Sequence, residues 1–281
     1  MDVRILEAIR IFEQRMDDAG VSPEGVATEI GLSAFHFQRL FLRETGDTPG
    51  AFQRRIRLDG AAMRLIWTRE TIGQIAQGFG YDSQSSFNKA FIGRFGVTPG
   101  RFRREPHRWP AKPIDAVAGS QITLRQHDSI ACLARRYLGP YDDVPKHWVD
   151  FLKRLPEECT QGNGSVFLGL TYDDPRFTPE NQIRYDCCIV LKQPDAVGKL
   201  ASLAACGDGF STVTTRPGLY AGLVHRGSYD IAGASYSLLL NHWVTNSRYT
   251  VCEDPAVERY TVPQSVAPPK ELEFELLIPL Q

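Results

Sequence analysis

Phe35, His36, Gln38, Arg39 and Arg43 lie close together in a segment, Ala34 to Thr45, that reads as a helix. At about 100° per residue, Phe35, Gln38, Arg39 and Leu42 cluster on one side, with His36 and Arg43 flanking them. Phe37, Leu40 and Phe41 take the other side, where they can pack on a neighbouring helix. An outward face of aromatic, amide, guanidinium and imidazole groups suits the edges of base pairs. The amide matches adenine and the guanidinium matches guanine, each good bidentate pair giving about 1–3 kcal/mol of discrimination. These residue types therefore point to reading of duplex DNA.

The same chemistry recurs fifty residues on. Phe41, Gly46, Thr48, Pro49, Gly50, Phe52 and Arg54 are echoed by Phe91, Gly96, Thr98, Pro99, Gly100, Phe102 and Arg104. In the second copy Phe87 and Phe91 face inward. Gln84, Ser85, Asn88 and Lys89 face out, Ser86 sits at the margin, and Arg94 is expected to meet phosphate. The second set is less emphatic than the Gln38–Arg39 pair. It is expected to anchor more and discriminate less.

The elements that must hold these side chains follow from periodicity and caps. Ile5, Leu6, Ile9, Phe12 and Met16 mark a helix over Val3 to Met16. Ser22-Pro23 opens a second helix, Gly31-Leu32-Ser33 forms a tight turn, and Ser33 caps the helix described above. Thr48-Pro49 starts a long helix to about Trp67. Thr71 to Gln77, Ser83 to about Phe95, and a short helix from Thr98-Pro99 complete an all-α domain with two helix-turn-helix units. Joined by one rigid helix, the two units can enter successive major grooves about 34 Å apart, so a monomer suffices.

Arg103 to Pro113 holds three prolines in a short basic stretch and reads as a linker, with the reading domain over 1–105, the linker over 106–113 and a second domain over 114–281. Strand-like runs follow: Ile122–Leu124, Ile130–Tyr137, Val166–Leu170, Tyr185–Leu191, Thr212–Thr215, Leu219–Val224 and Leu272–Ile278, with helices at Val144–Leu155 and Ile231–Thr245. This α+β domain carries its own echo. Gly139, Tyr141 and Asp142 recur as Gly227, Tyr229 and Asp230, and Tyr185-Asp186 and Phe274-Glu275 sit alike. Asp174-Pro175 and Asp254-Pro255 are read as equivalent loops. Two β-α-β-β halves about a pseudo-twofold, with a ligand groove between them, are expected.

Charge supports the division. Residues 1–110 carry 16 Lys+Arg against 13 Asp+Glu, and the remainder 16 against 20. The basic half, with arginine at every cationic position but Lys89, suits a polyanion. The six cysteines form no C-x-x-C pair and read as buried thiols, and Asn163-Gly164-Ser165 as a turn. No apolar run is long enough for a membrane span. Met1 to Arg10 alternates charge and apolar residues instead of building an export signal, so a cytoplasmic location is expected. No Ser-His-Asp order, P-loop, dinucleotide fingerprint or metal motif is present, and neither cofactor nor metal is expected.

Over about residues 5–105 the chain resembles the AraC/XylS family of transcription regulators. The resemblance rests on Gly31-Leu32-Ser33, Arg39-Leu40-Phe41, Gly46, Pro49, Arg57-Leu58, Ile75-Ala76, Gly78-Phe79-Gly80-Tyr81, Ser83-Gln84-Ser85 and Phe95-Gly96-Val97-Thr98-Pro99. Phe35-His36-Phe37-Gln38-Arg39 looks like the MarA/Rob branch, with Phe where that branch has Trp and with Leu42 at a position where a cation would be expected. The resemblance implies base contacts from Phe35, Gln38, Arg39 and the Gln84–Lys89 region. Residues 112–281 resemble the GyrI-like, or SOUL-type, effector-binding domain through Gly139-Pro140-Tyr141, Asp173-Asp174-Pro175, Arg184-Tyr185-Asp186, Arg226-Gly227-Ser228-Tyr229 and Glu275-Leu276-Leu277-Ile278-Pro279-Leu280. The order of the two domains is that of Rob-like regulators.

That second resemblance implies a groove for a small cationic or amphipathic effector, lined by aromatics around a buried acid. Glu275 matches the acid, and Tyr141, Trp148, Tyr185, Tyr229 and Trp243 are the walls it suggests. The expected function is a DNA-binding transcription regulator sensing a small molecule and contacting RNA polymerase. Two alternatives stay open for the second domain. One is a small-molecule hydrolase using Glu275 with Tyr141 or Tyr229. The other is a protein-binding module acting on polymerase or gyrase.

Overall fold

Glycines at positive φ and the caps that follow them set the plan of the helical part. A computed structural model of the chain describes residues 2–18, 20–105, 121–155, 166–190, 202, 204, 209–260 and 272–281. The expected linker over 106–113 and the Asn163 turn lie outside these residues. The chain divides into two compact units, Met1–His107 and Arg108–Gln281.

The described residues of the first unit hold seven helices: α1 (Val3–Gln14), α2 (Pro23–Glu29), α3 (Ala34–Thr45), α4 (Pro49–Trp67), α5 (Ile72–Gly78), α6 (Gln84–Phe95) and α7 (Pro99–Arg104). Ser22, Ser33, Thr48, Ser83 and Thr98 each accept an N-cap hydrogen bond, as expected. Gly46 (φ 80°) and Gly96 (φ 73°) end α3 and α6 in the left-handed region, where a side chain would be strained. The chain then turns directly into Thr48-Pro49 and Thr98-Pro99. This return brings the echoed rings together edge-on, Phe41 to Phe52 and Phe91 to Phe102, both at 5.2 Å. The fifty-residue echo is thus the covalent record of one aromatic closure made twice.

The copies diverge where they meet α4. Arg94 of α6 donates to Asp59 of α4 at 3.0 and 3.1 Å, and Arg55 lies 3.5 Å from the same carboxylate. Asp59 and Arg55 are both buried. Arg94, expected to meet phosphate, is here a tie between α6 and α4. The first copy carries Glu44 at the matching position.

Among its described residues the second unit is one antiparallel eight-stranded sheet with helices against it. Its strands are β1 (Thr123–His127), β2 (Ala131–Leu138), β3 (Val166–Thr171), β4 (Arg184–Val190), β5 (Phe210–Thr214), β6 (Gly218–Arg226), β7 (Ala256–Tyr260) and β8 (Glu273–Pro279). The order is β1-β6-β8-β7-β3-β4-β2-β5. It maps onto itself when β1–β4 are exchanged with β5–β8, so the duplication is real and its axis runs between β3 and β7. The first strand of each half pairs with the other half: β1 with β6, and β5 with β2. Gly139 (φ 145°) and Gly227 (φ 113°) turn β2 and β6 into matching 3₁₀ turns, Tyr141–Asp143 and Tyr229–Ile231. These lead into α8 (Val144–Arg154) and α9 (Ala232–Ser237). The expected single helix over 231–245 instead continues from α9 as a π-helical turn, Leu238–Trp243, and a 3₁₀ turn, Val244–Asn246.

One expected equivalence fails. Asp174-Pro175 lies between β3 and β4, whereas Asp254-Pro255 precedes β7. The strand β7 has no counterpart among the expected runs, and it makes the second Asp-Pro precede the third strand of its half and not the last. Among the described residues no helix is long and apolar enough to cross a membrane.

Asp59→Ala would leave two guanidinium groups without their shared carboxylate. Because the acid is buried, the substitution is expected to cost about 3 kcal/mol, read by denaturant unfolding against the parent chain.

Candidate functional sites

In the first unit the outward faces of α3 and α6 are built as the periodicity requires. Phe37, Leu40 and Phe41 are buried, and Phe35, His36, Gln38, Arg39, Leu42 and Arg43 are exposed. Phe35 is 70% exposed, and the Arg39 guanidinium lies 5.6 Å from its ring centroid. That contact holds the long arginine side chain over an aromatic platform. Arg43 bonds Glu44 Oε1 at 2.8 and 3.1 Å on an exposed part of the helix. On α6, Phe87 and Phe91 are buried while Gln84, Ser85, Ser86 and Lys89 are exposed. The Ser86 hydroxyl donates to the Ser83 carbonyl at 2.8 Å, so it serves its own helix start. Asn88 is half-buried, and its Oδ1 lacks a hydrogen-bond partner.

In the second unit the centre of charge is Glu258 on β7, a residue the sequence reading missed. It is fully buried. Its Oε1 accepts hydrogen bonds from Tyr229 at 3.1 Å and Tyr236 at 2.9 Å. Its Oε2 accepts from Tyr185 at 2.9 Å and Tyr260 at 2.7 Å. Four phenols drawn from β4, β7, α9 and a 3₁₀ turn thus converge on one carboxylate. Trp148 Nε1 donates to the Tyr185 hydroxyl at 3.3 Å, and Thr171 Oγ1 lies 3.2 Å from Tyr236 Oη.

Strand register explains the placement. Glu258 stands opposite Gly169 on β3 and Leu276 on β8, and Tyr260 stands opposite Phe274. Side chains paired across strands share a face. Helices lie on this face. Trp148 of α8 meets Tyr260 at 5.4 Å, and Ser235 of α9 bonds His225 of β6 at 2.9 Å. A Cβ at Gly169 would overlap the Tyr185 hydroxyl and approach Glu258 Oε2 to 3.0 Å, so the cluster requires glycine there.

The same alternation corrects the assignment of Glu275. It pairs with Arg259 and Val224 and projects from the opposite face, where Arg259 lies 3.9 Å away. Its counterpart in the first half, Asp186, shares that side and bonds Arg136 and Tyr172. Of the expected aromatic walls, Tyr185 and Tyr229 touch the acid directly. Tyr141 lies 6.4 Å from Tyr185, ring to ring, with its hydroxyl bonded to the Asp173 carbonyl at 2.7 Å. Trp148 is wholly buried behind Tyr185. Trp243 belongs elsewhere: it stacks on Tyr249 at 5.9 Å. Tyr236 and Tyr260 join the cluster unforeseen. The signal available for β7 was the alternation Val257-Glu258-Arg259-Tyr260, a short strand with charge on both faces.

Burial pushes the Glu258 carboxyl above the usual range, and the four phenol hydrogen bonds pull against that rise. Burial also raises Tyr141, Tyr185, Tyr229 and Tyr236 well above the ordinary phenol value. These four phenols stay neutral at physiological pH, and the bonds above fix Tyr185, Tyr229 and Tyr236 as donors to the acid. His225, sealed under Phe274 at 4.7 Å, is lowered by burial.

Comparison with known proteins places both units. A description "Helix-turn-helix domain" matches residues 26–105, and "GyrI-like small molecule binding domain" matches residues 123–281. The transcriptional regulator Rob of Salmonella typhimurium is 38% identical over 237 residues, 78% of this chain and 80% of that protein. The chain belongs to this family, the AraC-type regulators with a GyrI-like domain. The right origin-binding protein of Escherichia coli K12 is 39% identical over 124 residues, 44% of this chain but only 43% of that relative. The match to this and like relatives thus spans less than half their length. Among solved structures, the C-terminal domain of AraT from Geobacillus stearothermophilus is 26% identical, with 39% of this chain and 92% of that one covered at a TM-score of 0.36.

Linkage gives a direct check on the buried acid. A folded-state pKa raised above the unfolded value, near 4.5, makes the stabilising contribution greatest below that value. It is lost as pH rises through the folded pKa. The thermal midpoint of the second unit is expected to fall over that window, and Glu258→Gln is expected to flatten the profile.

Proposed function

We propose that this chain is a cytoplasmic transcription regulator that reads duplex DNA with α3 and α6 and binds a small cationic, aromatic effector beside Glu258. The observation carrying the effector assignment is a wholly buried carboxylate ringed by four tyrosines. A desolvated acid favours a cation by charge, and ring faces add cation–π attraction. RNA polymerase is the partner through which bound effector is expected to alter transcription.

For DNA, Phe35, His36, Gln38, Arg39 and Arg43 form the discriminating set, and Gln84, Ser85, Asn88 and Lys89 the weaker one. The exposed Phe35–Arg39 pair supports this ranking, because an aromatic platform pre-orients the guanidinium for guanine. Ser86, occupied by its own cap, contributes less.

We read the second domain as a binder rather than an enzyme. Both Glu258 oxygens are held by phenols, which leaves no lone pair placed to take a substrate proton. Glu275 and Tyr229 lie on opposite faces, which speaks against their pairing as base and acid.

Two experiments test the reading. Selection of duplexes from a random library by the full chain is expected to yield a defined site. Arg39→Ala is expected to lose about 1–3 kcal/mol of preference at one base pair, and an unchanged selection profile would remove its base-reading role. Titration calorimetry with a lipophilic aromatic monocation and its neutral isostere tests the acid. Glu258→Gln is expected to weaken the cation at least about ten-fold, roughly 1.4 kcal/mol, while the affinity for the isostere, which reports a folded site, is kept. Equal cation affinity in both proteins would refute the assignment.

A further inference from the structure

Leu42 and Ile92 are exposed aliphatic residues at the same position of the two copies, fifty residues apart, each following an echoed phenylalanine. They are 47% and 41% exposed. Single exposed aliphatics are ordinary on any protein. Here, however, the large exposed hydrophobics of the first unit are Val3, Phe35, Leu42 and Ile92, and three of these four lie on the outward faces of α3 and α6. Position therefore decides the matter, not exposure alone.

Their neighbours define what they face. At about 100° per residue, Phe35, Arg39 and Leu42 fall within about 60° of arc, and Ser85, Lys89 and Ile92 do the same on α6. Leu42 thus stands one turn beyond Gln38 and Arg39, and Ile92 one turn beyond Asn88 and Lys89. The face of α3 carries His36, Arg39 and Arg43, and α6 contains no acidic residue at all. A cationic face that also bears an aliphatic group each time fits a polyanion with apolar points on its surface. In the major groove those points are the thymine C5-methyl groups.

We infer that Leu42 and Ile92 are specificity-determining residues, each reading a thymine methyl one step along the groove from the polar contacts of its own helix. This rests on the reading of α3 and α6 as the groove-facing helices. It makes thymine the preferred base at one position in each half of the site, at equivalent places relative to the two helices. The second copy then discriminates through Ile92, although its polar residues are weak readers.

The test uses the full chain and a duplex enriched from a random library. Each thymine in turn is replaced by deoxyuridine, which removes only the methyl group. The parent chain is expected to lose about four-fold in affinity at one position per half-site, the amount burial of one methyl provides. Leu42→Ala is expected to be insensitive to uracil at the first position and still sensitive at the second, and Ile92→Ala the reverse. Thermal midpoints close to the parent are expected, since neither side chain belongs to the buried core. Equal uracil sensitivity in parent and variants would overturn the inference while leaving groove binding intact. A Leu42→Ala chain with unchanged DNA binding but reduced transcription by added polymerase would assign the face to a protein partner, and would also overturn it. Failure to enrich any duplex would remove the groove reading and the inference together.

Discussion

The buried carboxylate of Glu258 is the constraint around which the second unit is organised. An acid with no water around it is tolerated only if strong donors replace its hydration. Here the donors are four phenols from four different elements, so satisfying one side chain fixes β4, β7, α9 and the turn ahead of α9 relative to one another. It also fixes a residue that has no side chain to contribute. Gly169 faces Glu258 across the central strand pair, and its missing side chain is the space the Tyr185 hydroxyl fills. The pseudo-twofold passes between these two residues. The halves repeat as topology, and the symmetry is broken on the axis itself, where one copy carries the acid and the other the room for it.

The helical half was legible because each of its devices is local. A glycine at positive φ, a serine or threonine cap and an inward phenylalanine are read within four or five residues, and the structure repeats them at both copies. The polar cluster was legible only in part, because its definition is non-local. Tyr185 and Tyr229 were marked by motifs, but Glu258 sits in a five-residue strand flanked by an Asp-Pro loop and no strong apolar run. Glu275 was the more visible acid, preceding a long apolar stretch. The alternation that makes that stretch a strand also turns Glu275 away from the tyrosines. Only the register of β7 against β3 and β8 distinguishes the two acids, and no local pattern encodes register across strands so distant in sequence.

The two duplications in the chain share a logic. In each, what repeats is the backbone device that returns the chain onto itself: Gly46 and Gly96 in the first unit, Gly139 and Gly227 in the second. What diverges is the side chain placed beyond that device. Arg94 ties its helix to Asp59, while Glu44 at the same position of the first copy pairs with the exposed Arg43. The helix α6 is anchored to the long α4 by a part-buried ion pair, and α3 closes on an aromatic cluster that includes Phe12 of α1.

Saturation of Glu258 also limits how a cation can reach it. Every donor to the carboxylate is a phenol, so a ligand either approaches the ring faces and leaves the hydrogen bonds intact or displaces a hydroxyl. Tyr185 and Tyr260 are almost wholly buried, wedged by Trp148, Gly169 and Phe274, and have nowhere to turn. Tyr229 and Tyr236 are only half-buried, and both belong to the helical segment that continues into the π turn Leu238–Trp243. Such turns are over-represented where helices do functional work. On the proposed effector reading, these two less buried hydroxyls are the ones a cation would displace. The charge of the ligand replaces the phenol's partial charge, so the acid stays compensated throughout. On that proposed reading, the acid therefore has a buried wall on the sheet and a more accessible wall on the helical segment.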